Sequence, residues 1–524
     1  MKNEDVICSS ADYLPQMIEE YKENPFIEAL PPILSVAQAV DALTVEPGYH
    51  EAERELDAYY RFHCIQRLFR YFQPLDTHID IEQRISRSIR QGYVNRNPVK
   101  QQYTKRLRQC DDAVQGRSFD VADFRSVRST AAGFTVIGMS GVGKTTAVER
   151  VLSLYPQCIT HTQYDGQPLY VKQLVWLKLD CPFDGSIKGL CLSFFSEVDR
   201  ILQSDYSKKF FAARNTVDMM LPKMAQIAST HGIGLLVIDE IQHLSQAKSG
   251  GSEKMLNFFV TLVNTIGIPV VLIGTTKAMP ILQSEFRQAR RGSGQGDLFW
   301  ERMPNDISWD IMLQSMWKYQ WTQNSCAMTK ELKDTLHDES QGIIDLAVKI
   351  YAMAQIKAIS DGTECITPTV IREVATEKLR LVKPMLDALR SGNMKKIMQF
   401  EDIRPVSIED YLSSQFVRIQ HNEMDTGQVT SLEEQAIHKL LEMDIPAKTA
   451  RQCVKKVLSG QKAGQPLSRV VQKAFKMALH LMPQDAESRQ ETTPDENDMR
   501  DASGKNVYND LKAAGMIAED IEEW

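Results

Sequence analysis

One octapeptide constrains this chain more than any other feature. Gly138-Met-Ser-Gly-Val-Gly143-Lys144-Thr145 fits the G-x-x-x-x-G-K-[ST] pattern at every fixed position. The pattern works only where a buried strand feeds a tight glycine loop and a helix carries the chain away. The flanks meet that demand: residues 134–137 read as a short apolar strand and residues 146–154 as a helix. Glycines let main-chain amides curl around an anion, and the helix N-terminus adds partial positive charge. Gly138, Ser140, Gly141, Val142, Gly143, Lys144, Thr145 and Thr146 are therefore the expected phosphate cradle. Lys144 is expected to reach the β- and γ-phosphates of ATP, and Thr145 to hold Mg²⁺.

A second constellation lies at Leu235-Leu-Val-Ile-Asp239-Glu240. Four apolar residues predict a buried strand, and the two carboxylates stand at its C-terminal end, where ligands sit in open α/β sheets. Asp239 is expected to coordinate Mg²⁺ through water, and Glu240 to activate the attacking water as a general base. Further buried strands are predicted at residues 174–179 and 270–273. Short apolar runs separated by 30 residues or more predict βαβ units and a parallel sheet.

This layout resembles the AAA+ class, and the resemblance implies three further roles. The strand Pro269-Val-Val-Leu-Ile-Gly-Thr275-Thr276 would lie between the two strands already named and sense the γ-phosphate through its polar end. Thr275 is the first choice for that sensor and Thr276 the second. An arginine from Arg287, Arg290 or Arg291 would reach the γ-phosphate of a neighbouring copy, and the sequence does not separate the three. Guanidinium suits the task because it is always charged and grips phosphate oxygens bidentately. A lid arginine is usual in the class, but the corresponding stretch, Gln341-Gly-Ile-Ile-Asp345, offers an acid, so that role stays open.

The fold class that follows is α/β: a P-loop AAA+ core, its parallel five-stranded sheet sandwiched by helices, with a helical lid and helical N- and C-terminal extensions. The expected organisation is an N-terminal region for partner docking at 1–130, the ATPase core at 131–310 and the lid at 311–400. A helical C-terminal region follows at 401–482, then an acidic disordered linker at 483–506 and a docking motif at 507–524. A helix is expected over 51–72, a buried one over 343–354, and two or three amphipathic ones over 430–482.

Charge is uneven along the chain. The net charge is −7, and residues 483–524, with 12 acidic and 4 basic residues, hold −8 of it, leaving a body near +1. Such a body is compatible with nucleic-acid binding. No apolar run is long enough for a membrane span, and no secretory signal is expected at the N-terminus. Nine scattered cysteines without a C-x-x-C argue against a disulfide framework or a zinc site, and for a reducing cytosol.

Several strings carry a narrower resemblance. Asn24-Pro-Phe-Ile-Glu-Ala-Leu-Pro-Pro32, Tyr71-Phe-Gln-Pro-Leu-Asp-Thr-His78, Gly92-Tyr-Val-Asn-Arg-Asn-Pro98 and Gly234-Leu-Leu-Val-Ile-Asp-Glu-Ile-Gln-His-Leu-Ser245 resemble TnsC, the AAA+ regulator of Tn-seven-like transposons. Ser249-Gly-Gly-Ser252 and Met255-Leu-Asn-Phe-Phe-Val-Thr261 extend it, so that it covers about residues 20–400 and returns faintly at 508–517. The N-terminal strings are unrelated to ATP chemistry, which makes the match specific. Thr276 departs from it, standing where proline is expected. The resemblance implies an ATP-dependent homo-oligomer, a hexameric or heptameric ring or a filament, on double-stranded DNA. It further implies a link between a TnsD/TniQ-type target selector and the TnsA/TnsB transposase, with the chain itself not the transposase.

Backbone gripping of DNA needs lysines, arginines and amide donors. Ser186, expected to cap a helix starting at Ile187, and Lys188 are the first candidates; Lys208 and Lys209 are the second. The third is the window 84–109, with eight basic residues, no acidic one, and Arg84, Arg87 and Arg90 on one helical face. Each has a plainer reading, as a cap, an exposed lysine or a solvated helix. Two other functions compete with the transposition regulator. One is a helicase loader or STAND-type signalling ATPase, opposed by the N-terminal strings. The other is an interaction protein with a vestigial loop, opposed by the complete set Lys144, Thr145, Asp239 and Glu240.

Overall fold

The computed structural model describes residues 8–114, 133–210, 217–246, 267–282, 295–392, 447–459 and 467–481, with a few single residues between them. The chain divides into two compact units, Met1–His421 and Asn422–Trp524.

The first unit is built on a five-stranded sheet. Its strands are β2 (Phe134–Gly138), β5 (Trp176–Asp180), β6 (Leu235–Asp239), β7 (Val270–Gly274) and β8 (Asp297–Trp300), in the order β5-β6-β7-β2-β8. All neighbouring pairs are parallel. Every residue of β2, β6 and β7 is buried, which explains the unbroken apolar runs of β6 and β7; the one polar side chain inside β2, Thr135, donates its hydroxyl to Asp297. Alternate side chains feed two cores. Leu236, Ile238, Val270 and Leu272 pack with the helices Ile187–Leu202 and Val217–Thr230. Leu235, Val237, Val271 and Ile273 pack with Lys144–Leu152 and Asp76–Val94. The period-2 geometry of a strand makes this division, and it leaves the sheet sandwiched between helical layers as expected.

The lid follows as five helices, Ile307–Trp317, Lys330–Ser340, Ile344–Ser360, Pro368–Lys378 and Lys383–Arg390. Ile344–Ser360 is buried almost all round, matching its apolar sequence. The N-terminal residues are shared between the two bodies: Phe62, Ile65 and Leu68 belong to the lid core, while Ile81, Ile85 and Ile89 belong to the sheet core. Arg61 secures the first of these contacts with a bidentate pair to Glu364, both distances 2.7 Å.

Three expectations are corrected. The helix expected over 51–72 is interrupted: a 3-10 turn at Glu51–Glu55, a helix at Ala58–Ile65 and another 3-10 turn at Gln66–Arg70. Side chains on the first turn are drawn to the lid, where Arg54 donates to the carbonyls of Thr322 and Gln323 and Glu53 accepts from Trp321. The strand expected over 174–179 is two strands, because Leu174 ends β4 (Gln167–Leu174) and Trp176 begins β5. β4 pairs with β3 (Cys158–Tyr164), and β3 with β1 (Ser9–Ser10), in a separate three-stranded sheet. Its hairpin turns at Asp165-Gly166, both at positive φ (46° and 73°). That small sheet also overturns the disulfide expectation. β1 runs parallel to β3, and Cys8 is bonded to Cys158 across 150 residues.

In the second unit the helices Ala447–Ser459 and Leu467–Leu481 pack through Cys453, Val454, Val470, Val471 and Ala474. The acidic segment 483–506 and the motif 507–524 lie outside the described residues.

Candidate nucleotide-binding site

The C-terminal edge of the sheet gathers the loop after β2, the carboxylates after β6 and the hydroxyl after β7. Gly138 ends β2 where a Cβ would lie 2.2 Å from the Trp300 carbonyl oxygen, so no larger residue fits. Gly141 and Gly143 hold φ of 80° and 103°, the left-handed turns the loop requires. Gly143 then caps the helix Lys144–Leu152. Lys144 is buried, and its Nζ donates to the Met139 carbonyl at 2.6 Å, curled back over the loop.

Thr145 Oγ1 donates to Asp239 Oδ2 at 2.7 Å, and Asp239 is itself buried. Asp239 Oδ1 accepts from the Glu240 amide at 2.8 Å. Lys178, one strand over on β5, stands 3.6 Å from Asp239 and 2.6 Å from Glu149. Burial works to lower the Lys178 pKa, but the Glu149 hydrogen bond and the nearby acids carry it above its ordinary value. Glu240 is exposed and sits at φ 57°, an uncommon conformation for a non-glycine residue, which turns its side chain out of the strand direction. Its carboxylate accepts from the Gln242 side-chain amide. Thr275 is buried; its amide is bonded, whereas its hydroxyl is a buried donor without a protein partner.

These groups line one cleft of about 730 Å³, which brings together Ser140, Gly141, Gly143, Lys144, Thr145, Thr146, Asp239, Glu240 and Thr275. Thr276 has a similarly unpartnered hydroxyl but does not line that cleft. Arg287, Arg290 and Arg291 lie outside the described residues, as do Ser249–Ser252 and nearly all of 255–261.

A second cavity, of about 640 Å³, shares Gly141, Gly143, Thr146 and Asp345 with the first. Phe69, Tyr71, Phe72 and Leu75 form one wall, and Met312, Ile344 and Val348 from the lid form the other. An apolar slot opening onto a phosphate cradle is suited to a flat heterocycle. The string Tyr71–His78, set apart from ATP chemistry in the sequence, therefore borders the nucleotide site. The lid contacts the loop directly, with the Asp345 amide 3.4 Å from the Gly141 carbonyl. Asp345 also holds Lys349 at 2.7 Å, and Lys349 faces the apolar cavity. This lid cation was missed; the i,i+4 spacing of Asp345 and Lys349 was the available signal.

The DNA candidates are scattered. Ser186 caps Ile187–Leu202 by accepting from the Gly189 amide at 3.2 Å, with Lys188 half-buried in the first turn. Lys208 is exposed, and Lys209 pairs with Asp205 at 2.7 Å. The basic window is not one cationic face. Arg90 is buried and donates to Pro31 and Ser86, and Arg96 is buried and donates to Gly92 and Ile233. Arg84 is bonded to Asp80 and Gln295, leaving Arg87, Lys100, Lys105 and Arg108 exposed. Buried guanidiniums serving backbone carbonyls are structural ties.

Residues 127–282 match the AAA domain family. The β5-β6-β7-β2 strands, the glycine loop and Asp239-Glu240 all lie in or beside the matched stretch. The chain aligns with the Aeropyrum pernix Orc1 protein in complex with DNA at 13% identity and TM-score 0.33, covering 61% of this chain and 82% of that one. Cdc6p from Pyrobaculum aerophilum aligns at 12% identity and TM-score 0.33, covering 75% and 99%. The Thermotoga maritima RuvB Holliday junction branch migration motor aligns at 12% identity and TM-score 0.29, covering 60% and 94%. A search of curated proteins finds no match. No described helix is long and apolar enough to cross a membrane.

Proposed function

We propose that this chain hydrolyses ATP and that its nucleotide state governs its assembly on DNA, as a TnsC-type regulator of transposition. The observation that carries the first part is the single cleft that sets Thr145 and Asp239 2.7 Å apart beside Glu240 and the unpartnered Thr275 hydroxyl. One hydroxyl and one carboxylate side by side fit a small, hard cation that keeps water and shares phosphate oxygens. Thr145, and Asp239 through water, would hold Mg²⁺, which supplies neutralising charge to the phosphates.

The chain's own groups then divide the work. The loop amides and Lys144 bind the triphosphate, and the slot between Phe72 and Val348 receives the base. Glu240 accepts a proton from water as that water attacks the γ-phosphorus; the bond from that phosphorus to the bridging oxygen breaks, releasing ADP and phosphate. Thr275 donates to the oxygens being transferred. One of Arg287, Arg290 and Arg291 would reach across from a neighbouring copy, so the triphosphate would fasten two copies together until it is cleaved.

The transposition reading rests on the N-terminal strings, and their packing supports treating them as one unit. Phe26 and Tyr93 pack as a tilted ring pair with centroids 5.3 Å apart, Tyr93 Oη donates to the Gly232 carbonyl at 2.6 Å, and Arg96 donates to the Ile233 carbonyl at 2.6 Å. Gly234 has no room for a Cβ, which would lie 2.5 Å from Tyr93 Oη. Residues from three separate strings thus enclose the turn that launches β6 toward Asp239. The proposed partners are double-stranded DNA gripped by its backbone, further copies of this chain, a TnsD/TniQ-type selector and TnsA/TnsB.

Electron microscopy with duplex DNA and a non-hydrolysable ATP analogue tests this reading. Rings or filaments enclosing the duplex are expected, with binding that weakens steeply as salt rises. A protein that stays monomeric with both supplied overturns it, and a DNA-free ATPase would instead favour a signalling ATPase.

A further inference from the structure

Glu240 is exposed, yet its carboxylate is tied to a residue that is buried. Gln242 Oε1 accepts the Thr275 amide at 3.1 Å, and Gln242 Nε2 donates to Glu240 Oε2. The amide orientation is dictated by chemistry: a main-chain N–H only donates, so the oxygen faces Thr275 and the nitrogen faces the carboxylate. The packing around it is close. A Cβ on Gly274 would lie 2.5 Å from Ile241 Cγ1 and 3.1 Å from Gln242 Oε1. Only glycine at the end of β7 lets the Ile241–Gln246 turn settle against the strand.

We infer that Gln242 is a positioning residue that couples the end of β7 to the general base. It rests on the assignment of Glu240 as that base. The main chain of Thr275 fixes one end of the amide, and the other end sets the direction of the carboxylate. A displacement of Thr275 is therefore passed to Glu240 through one rigid planar group. A long side chain at the protein surface would otherwise sample several rotamers, most of them out of reach of the attacking water. Orientation effects of this kind are worth about 10²-fold in rate for a misplacement of about 1 Å.

Three variants of the full chain test the coupling, with steady-state ATPase kinetics and nucleotide affinity measured for each. Gln242→Ala should lower kcat by about 10- to 100-fold while ATP affinity stays within about twofold. Retained affinity also shows that the variant is folded. Gln242→Glu keeps the acceptor for Thr275 but sets two carboxylates together, one of which then holds its proton to higher pH. Its kcat relative to wild type should rise as pH falls from about 8 to about 6, as the protonated form regains a donor toward Glu240. A merely structural role gives no such recovery. Wild-type kcat in Gln242→Ala, or equal losses in Ala and Glu variants at every pH, overturns the inference. Glu240→Gln separates the layers. If it is inactive while Gln242→Ala is normal, the coupling alone fails; if it turns over like wild type, the assignment of the base fails with it.

Discussion

Thr145 Oγ1 and Asp239 Oδ2 meet at 2.7 Å although 94 residues separate them in sequence. The contact spans the gap between β2 and β6, with β7 between those strands, so Thr275 falls beside it. Lys144 closes the same cradle. Substituting Lys144→Ala should abolish ATP binding and, with it, ATP-dependent association with DNA. Nucleotide titration and co-sedimentation with duplex DNA measure the two losses. DNA binding that persists undiminished once ATP binding has gone would sink the idea of a nucleotide switch.

The slot between Phe72 and Val348 makes a different demand. Val348 lies on the lid face of a cavity whose other wall is Tyr71, Phe72 and Leu75. Val348→Trp should fill it and weaken ATP by about 10-fold or more, since a close-packed wall has no room for both rings. Tripolyphosphate, which has no base, should bind the variant as it binds the wild type. Equal weakening of both ligands would show that the substitution damages the cradle and that the slot does not hold the base.

Legibility in the sequence followed burial. β2, β6 and β7 are buried on both faces, so β6 and β7 appear as apolar runs ending in a polar residue or glycine, and β2 differs only by the buried Thr135. β3 and β4 mix His161, Gln163, Gln167 and Lys172 with apolar residues, and β1 has only Ser9 and Ser10, so no run marks them. Charge density was the weaker guide. Arg90 and Arg96 look like neighbours of Arg87 in sequence, but carbonyls from residues 31 and 233 draw them inward. The apolar cavity was illegible for a related reason: its two walls, around Phe72 and Val348, are about 270 residues apart in sequence and meet only in the fold. Gln242 was hidden because its meaning lies in a contact with Thr275.

Arg61 and Glu364 hold that segment to the lid. Their side chains are only 4% and 13% exposed, and Arg61 also donates to the Trp321 carbonyl at 3.0 Å. Removing one member of a buried pair strands the other charge, which typically costs about 3–5 kcal/mol. Arg61→Met should therefore lower stability by about 3 kcal/mol. The double variant with Glu364→Gln should recover much of that loss. Denaturant unfolding of the two single variants and the pair forms the cycle, and additive losses would show that the residues act independently.

His78 gives stability a pH signature. It is buried against Phe72 and Trp300, with ring centroids 4.8 and 5.1 Å away, and its Nδ1 accepts the Leu75 amide at 2.8 Å. Burial lowers its pKa from 6.5 to about 4. Accepting that amide requires the ring nitrogen to be unprotonated, in keeping with the direction. Below pH 6.5 the unfolded chain takes up a proton that the folded chain refuses, so stability falls as pH drops from about 6.5 to about 4 and this contribution levels off below. The full loss is on the order of 3 kcal/mol. In His78→Asn, which keeps an acceptor for the Leu75 amide, the unfolding free energy should decline less over that window than in wild type. Parallel curves for the two proteins would mean that the imidazole does not titrate differently on folding.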